Sequence, residues 1–289
     1  MKYAVFTVGL PELTPEQAVT ILRDLGYDGV EWRVTDQAPA SDGQPGFWAG
    51  NHCTWPLSSL IEDAPRIAAL TAQAGLDMPS VGTYVTCDDL VSVEHAMQGV
   101  AKLGASQLRV NVPKYDGDES YRRARDQAQA QYRAVADLAR QYNLRALIEL
   151  HHGSLIPSAS AAAAFLDPFD PRYVGAIHDA GNMVYEGYEQ YRLGLETLGP
   201  YLAHVHLKNA AWQPVGTRAD GSTEWRAGWA PLAHGVVDMP ALLRALRQVG
   251  YDGWLSFEDF STEQPLNVRL RDNLAYVKRV ARSVAEEAS

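Results

Sequence analysis

A closed (β/α)8 barrel is the fold class this sequence predicts, and three observations carry that reading. Eight short apolar runs alternate with longer stretches of helical periodicity, the pattern of a parallel sheet covered on both faces and joined by right-handed crossovers. The chain has 289 residues, close to a barrel's usual size of about 250 residues. No G-x-G-x-x-G follows a run and opens a helix, which removes the main sign of the competing open, doubly wound sheet. No interior linker or low-complexity run divides the chain, so one barrel domain over residues 1–289 is expected.

The strands are read at YAVFTVG (3–9), GVEWRV (29–34), MPSVGTYV (78–85), SQLRVNV (106–112), LRALIEL (144–150), YVGAIHD (173–179), LAHVHLK (202–208) and GWLSFED (253–259). After the first, PEQAVTILRDLGY sets Ala18, Ile21, Leu22 and Leu25 three and four apart, the spacing of one helical face. Thr14 and Pro15 supply an N-cap and a first-turn proline, and Gly26 a stop. The same unit recurs around APRIAALTAQAGL, VEHAMQGVAKLG, YRRARDQAQAQYRAVADLARQYN, YEQYRLGLETLG, MPALLRALRQVG and VRLRDNLAYVKRVARSV; the short AAAA at 161–164 lies in another helical stretch. Two long connections, residues 35–58 and 209–237, follow the second and seventh strands. Both leave the strand ends at which barrel enzymes build their sites.

Composition narrows the partners. A formal charge of −10 argues against a nucleic-acid groove or an anionic membrane as the main partner. No run of about 20 apolar residues suggests a membrane span. The opening MKYAVFTVGLPE has one Lys and an apolar run that stops at Gly9, too brief for a signal-peptide core. Cys53 and Cys87 form neither a disulfide framework nor a metal motif, so a reducing cytoplasm is the expected compartment.

Chemistry concentrates at the ends of the later strands. The fifth ends IELHH, the sixth IHDAGN, the seventh HVHLKN and the eighth SFEDF. Each brings a metal-ligating side chain towards the mouth: Glu149, Asp179, His206 and Glu258. Three carboxylates and one imidazole suit manganese, magnesium or cobalt in octahedral geometry better than structural zinc. A cation is also the simplest reason to gather so much negative charge in a partly desolvated cup. Blander readings attach to the neighbours. His178 is expected as a hydrogen-bonded core residue, since alternation turns it from Asp179, and His204 as a lower, structural layer. Glu31 and Asp259 are expected to pair with nearby basic residues. Arg109 is expected to meet either a substrate group or a carboxylate of the next strand. Trp48 and Trp55 are read either as an aromatic lid or as packing of their long loop.

The segments IELHH, HDAGNMVYEGYEQY, LGPYLAHVHLKNA and GVVDMPALLRALRQVGYDGWLSFEDF resemble the xylose-isomerase-like barrel superfamily. More narrowly they are similar to its sugar phosphate isomerase/epimerase group, which includes ketose 3-epimerases, hydroxypyruvate isomerase and inosose dehydratase. The likeness covers the whole chain, weakly in the first hundred residues and clearly from Glu149 onward. It implies one divalent ion held by Glu149, Asp179, His206 and Glu258, with manganese first and magnesium, cobalt or zinc as alternatives. It further implies that Glu149 and Glu258 exchange a proton beside the metal-bound carbonyl of a sugar, through an enediolate, giving an isomerase or epimerase. Substrate contacts are expected from His151, Asn182, Lys208 and Arg109. Many relatives carry His where Asn182 stands, and an amide cannot titrate near neutral pH.

The alternative is a lyase or dehydratase acting on a keto-sugar, keto-inositol or 3-keto-glycoside, with Trp212, Trp225 and Trp229 around an aglycone. The abasic-site endonucleases of this barrel are disfavoured by the acidic charge and by too few further strand-end ligands. A sugar-binding module that uses the metal only as a clamp is the non-enzymatic option. The expected partner is a small sugar or polyol, unphosphorylated because no phosphate-cradling loop is evident; neither nucleic acid nor membrane is expected, and a homo-oligomer is compatible.

Overall fold

The computed structural model describes residues 1–287, so the last two positions of the expected domain lie outside the described residues. Its first half runs β1 (Lys2–Phe6), α1 (Pro15–Leu25), β2 (Gly29–Val34), β3 (Thr54–Trp55), α2 (Leu60–Gln73), β4 (Val81–Thr83), α3 (Leu90–Leu103), β5 (Gln107–Arg109) and α4 (Tyr121–Gln141). The second half begins β6 (Arg145–Glu149), α5 (Ala159–Leu166), β7 (Val174–Asp179), α6 (Ala180–Tyr185), α7 (Tyr191–Leu198) and β8 (Leu202–Leu207). It ends β9 (Ala210–Thr217), β10 (Thr223–Trp229), α8 (Met239–Gln248), β11 (Trp254–Phe257) and α9 (Leu266–Glu286).

Hydrogen bonding orders the main sheet β1-β11-β8-β7-β6-β5-β4-β2, and β1 pairs with β2 as well, which closes an eight-stranded parallel barrel. β3 is a two-residue addition on β2. The strands are shorter than their apolar runs. Residues 78–85 yield only Val81–Thr83, and 106–112 only Gln107–Arg109, because pairing stops where the chain turns into the mouth loops. Thr7–Gly9, read as strand, is a 3-10 turn.

The helices form for the reasons read from sequence. Thr14 caps α1 reciprocally with Gln17 (Gln17 N to Thr14 Oγ1 3.3 Å; Thr14 N to Gln17 Oε1 2.9 Å), and Gly26 ends it at φ 84°. Asp89 caps α3 by accepting the amide of Ser92 at 3.1 Å, and Gly104 ends it at φ 85°.

Two features were not anticipated. The 209–237 connection is a two-stranded antiparallel hairpin, β9 on β10, turned at Asp220–Gly221. α6 is a further short helix following β7 directly. Near the cluster, glycine is needed at Gly181, whose added Cβ would lie 2.6 Å from Lys208 Cβ, so only glycine lets α6 pack on the end of β8. Among the described residues no helix is long and apolar enough to cross a membrane.

Candidate active site and metal centre

Glu149 ends β6, Asp179 ends β7, His206 lies in β8, and Glu258 follows β11. These four strands are consecutive neighbours in the barrel. One ligand atom from each of the four lies within 4.8 Å of all the others, and all four side chains are buried. From His206 Nδ1 the distances are 3.1 Å to Glu149 Oε1, 3.7 Å to Glu258 Oε2 and 3.8 Å to Asp179 Oδ2. An octahedral cation with bonds of about 2.1 Å holds adjacent ligand atoms about 3 Å apart and opposite ones about 4 Å apart. The four residues therefore fit a divalent ion in both spacing and donor chemistry.

Each ligand is aimed by a neighbour. Asp179 Oδ1 accepts the amide of Asn182 at 2.8 Å, capping α6, which leaves Oδ2 for the cluster. Glu149 Oε2 is taken by Arg109 Nη1, while Oε1 faces His206 and accepts from Asn182 Nδ2 at 3.3 Å. His206 Nε2 lies 3.2 Å from Glu31 Oε2, and the same oxygen is 3.0 Å from His204 Nε2. A carboxylate behind the imidazole fixes the ring and its tautomer, leaving Nδ1 to the metal side. Glu31 sits on β2, and its part in the site was missed beyond the expectation of a basic partner.

Four buried carboxylates, Glu31, Glu149, Asp179 and Glu258, face three cations, Arg109, Lys208 and His206, which leaves one negative charge over when all are ionised. Lys208 Nζ lies 2.9 Å from Asp179 Oδ2 and 3.2 Å from Asn182 Oδ1, and it also pairs with Glu258. Burial alone would raise the Glu149 carboxyl, but Arg109, His206 and Lys208 hold it well below the usual carboxylate range. For Glu258 burial wins, and its carboxyl is pushed up to about 7. Burial would lower the His206 imidazolium, but Glu31, Asp179 and Glu149 hold it well above its ordinary value.

Above the cluster opens a cavity of about 510 Å³. Glu149, Glu258, Arg109, His151 and Lys208 line it, whereas Asn182 is fully buried behind the carboxylates. His151 is partly buried, with Nδ1 2.7 Å from the carbonyl of His152, whose ring stacks on it. Trp48 lines the mouth, but Trp55 is buried edge-on against Trp32 in the core. Trp229 reaches the cavity from the hairpin; Trp212 donates Nε1–H to the Val184 carbonyl on α6 at 2.8 Å, and Trp225 stands half exposed.

Two expectations need correction. His178 is buried but neither ring nitrogen has a partner among the described residues. Alternation sends it to the apolar outer side of the sheet, where burial pushes its pKa down to about 4. Asp259 is held by Asn273 Nδ2 at 2.7 Å and by the amide of Ser261 at 2.8 Å, and its basic neighbour Arg269 feels its charge without a direct ion pair among the described residues.

A family model described as xylose isomerase-like TIM barrel matches residues 19–280. An inosose dehydratase from Geobacillus thermodenitrificans is 24% identical over 132 residues, 43% of each chain; this chain thus spans under half the length of that curated relative. A solved structure of the 3-keto-D-glucoside 4-epimerase from E. coli superposes with a TM-score of 0.70 at 17% identity, covering 96% of this chain and 99% of that one. A xylose isomerase-like TIM barrel protein from Mycobacterium smegmatis, in complex with magnesium, gives 0.68 at 18% identity, covering 98% and 97%. Both structures share the fold.

Proposed function

This chain belongs to the xylose isomerase-like TIM barrel family, and we propose that it is a divalent-metal-dependent isomerase or epimerase acting beside the carbonyl of a sugar. The observation that carries this is the buried set Glu149, Asp179, His206 and Glu258 at the floor of the cavity, spaced for one ion. When bound, the cation supplies Lewis acidity at the substrate's carbonyl oxygen; manganese is our first assignment, and magnesium accompanies a related structure.

The protein's own residues do the rest. Glu149 and Glu258 belong to strands separated by β7 and β8, so they flank the cluster from two sides, and both line the cavity. One carboxylate takes the proton from the carbon beside the carbonyl, and the C–H electron pair moves towards the carbonyl oxygen. The other, protonated at the outset, gives its proton to the opposite face as the electron pair returns from oxygen to carbon, inverting that carbon. Arg109 and Asn182 hold Glu149 in place while this happens.

A second reading is a dehydratase, in which the same C–H cleavage expels a β-hydroxyl as water. The match to an inosose dehydratase favours it, as do the two imidazoles, His151 and His152, on the cavity wall. Incubating the metal-loaded protein with ketoses, keto-inositols and keto-glycosides in D2O separates the two. An epimer carrying solvent deuterium supports the first reading and an unsaturated product the second. Tight sugar binding without exchange would overturn both.

A further inference from the structure

We infer that the cavity is built for a substrate of two joined rings: a keto-sugar unit over the carboxylates and a second, hydroxylated ring, glycosidically linked, at the mouth. The inference rests on the keto-sugar reading above and adds to it a subsite of its own. Aromatic rings make a continuous collar around one side of the mouth. Trp48 lies 5.0 Å from Phe260 between ring centroids, Phe260 5.4 Å from Trp229, Trp229 4.7 Å from Tyr185, and Tyr185 4.4 Å from His152. These rings come from five separate segments of the chain, so no local sequence pattern accounts for their meeting.

Only the collar's inner edge is core: Phe260 is buried, with Trp229 half-buried against it. Trp48 keeps 53% of its surface exposed, and the cavity is what it faces. Indole faces of this kind bind the C–H faces of sugar rings as readily as other apolar groups.

The other side of the mouth is polar. Thr86, Asn111 and Lys114 line it, and their side chains make no hydrogen bond or ion pair among the described residues. Apolar rings facing free donors and acceptors match a sugar ring, with its C–H faces and hydroxyl edge. A purely aromatic group would leave the polar side unused.

Size agrees. Even at liquid water's share of about 30 Å³ per heavy atom, the twelve heavy atoms of a hexose need at most about 360 Å³. The cavity offers about 510 Å³. The ketone must reach Glu149 and Glu258 at the floor, so the unused space is at the mouth, between collar and polar wall.

The test compares KM for deuterium uptake from D2O by the metal-loaded protein on a free keto-hexose and on a disaccharide carrying the same keto unit. Alongside, calorimetry measures cellobiose against glucose, neither of which carries the ketone. The disaccharide should show a KM at least tenfold lower than the free keto-sugar, and cellobiose should bind at least tenfold tighter than glucose. Trp229→Ala, and independently the more exposed Trp48→Ala, should each shrink both preferences at least fivefold. Equal KM values, or preferences unchanged in both variants, overturn the subsite. So does a phenyl glycoside of the keto unit that matches the disaccharide, which would assign the collar to an aryl group. If no keto-sugar exchanges yet cellobiose binds preferentially and loses that preference in the variants, the reaction is misassigned and the subsite stands. Exchange without any dependence on the second ring removes the subsite and leaves the reaction.

Discussion

Lys208→Met sets the protein's own cation against the metal. The ammonium is 2% exposed and lies 2.9 Å from Asp179 Oδ2, in contact with Glu258 and within 5.0 Å of the Trp229 ring centre. Methionine keeps the stem's volume and removes the charge. In the metal-free protein the two carboxylates would then face each other and Glu149 with only His206 and Arg109 to offset them. Breaking a buried pair by removing one partner costs about 3–5 kcal/mol. A divalent ion neutralises the same oxygens, so the loss should shrink by at least about 1.4 kcal/mol when metal is bound. By linkage that difference appears as about tenfold tighter metal binding in the variant. Urea unfolding of wild type and variant, each with EDTA and with saturating Mn²⁺, reads both numbers, and competition with a chelating dye checks the affinity. A variant equally destabilised with and without metal, or one that binds Mn²⁺ more weakly than wild type, would refute the placement of Lys208 among the ligands.

Further outcomes follow from the same geometry. Glu258→Gln and Glu149→Gln should each lower solvent-proton exchange by about 10²-fold or more; full activity in either removes it from the proton-transferring pair. Metal binding displaces the proton that Glu31 helps hold on His206 and the share of a proton that Glu258, pushed up to about 7, still carries, so between about one and two protons should leave per ion at neutral pH. Glu31→Gln should reduce that number, as read by calorimetry in buffers of different ionisation enthalpy, and an unchanged release contradicts the Glu31–His206 contact. His178, with a folded pKa near 4 against 6.5 in the unfolded chain, contributes stability that is complete above pH 6.5. That contribution is lost as the pH falls through this range and levels off below about 4, in all about 3 kcal/mol. His178→Leu should flatten that acid limb in urea titrations, and an unaltered limb argues against a neutral buried ring.

The parts legible in the sequence were those that alternation and chain order alone determine. Glu149, Asp179, His206 and Glu258 stand at the ends of four neighbouring strands, and a parallel barrel has no choice but to point strand ends at one mouth. Depth within the barrel was not legible. Glu31 faces inward from β2, but only the closure of β1 on β2 and β11 brings it under His206, 175 residues away in sequence. Lys208 was expected to contact substrate; it does line the cavity, yet its ammonium is spent on Asp179 and Glu258.

The hairpin was hidden for another reason. Its apolar side, Ala210, Trp212 and Pro214 facing Trp225, Ala227 and Trp229, ends at a register shift at Glu224–Trp225, so the alternation runs for only three apolar positions on each strand. The Asp220–Gly221 turn was the available signal. His178 failed because periodicity tells which way a side chain points but not whether a polar partner waits there.

Anomalous diffraction at the Mn edge from crystals of the Mn²⁺-loaded protein tests the central claim most directly. One peak per chain is expected, bound by His206 Nδ1 and by oxygens of Glu149, Asp179 and Glu258, with Lys208 drawn back from two of them. No peak at that position, or one lying instead among Glu31, His204 and His206, would contradict it.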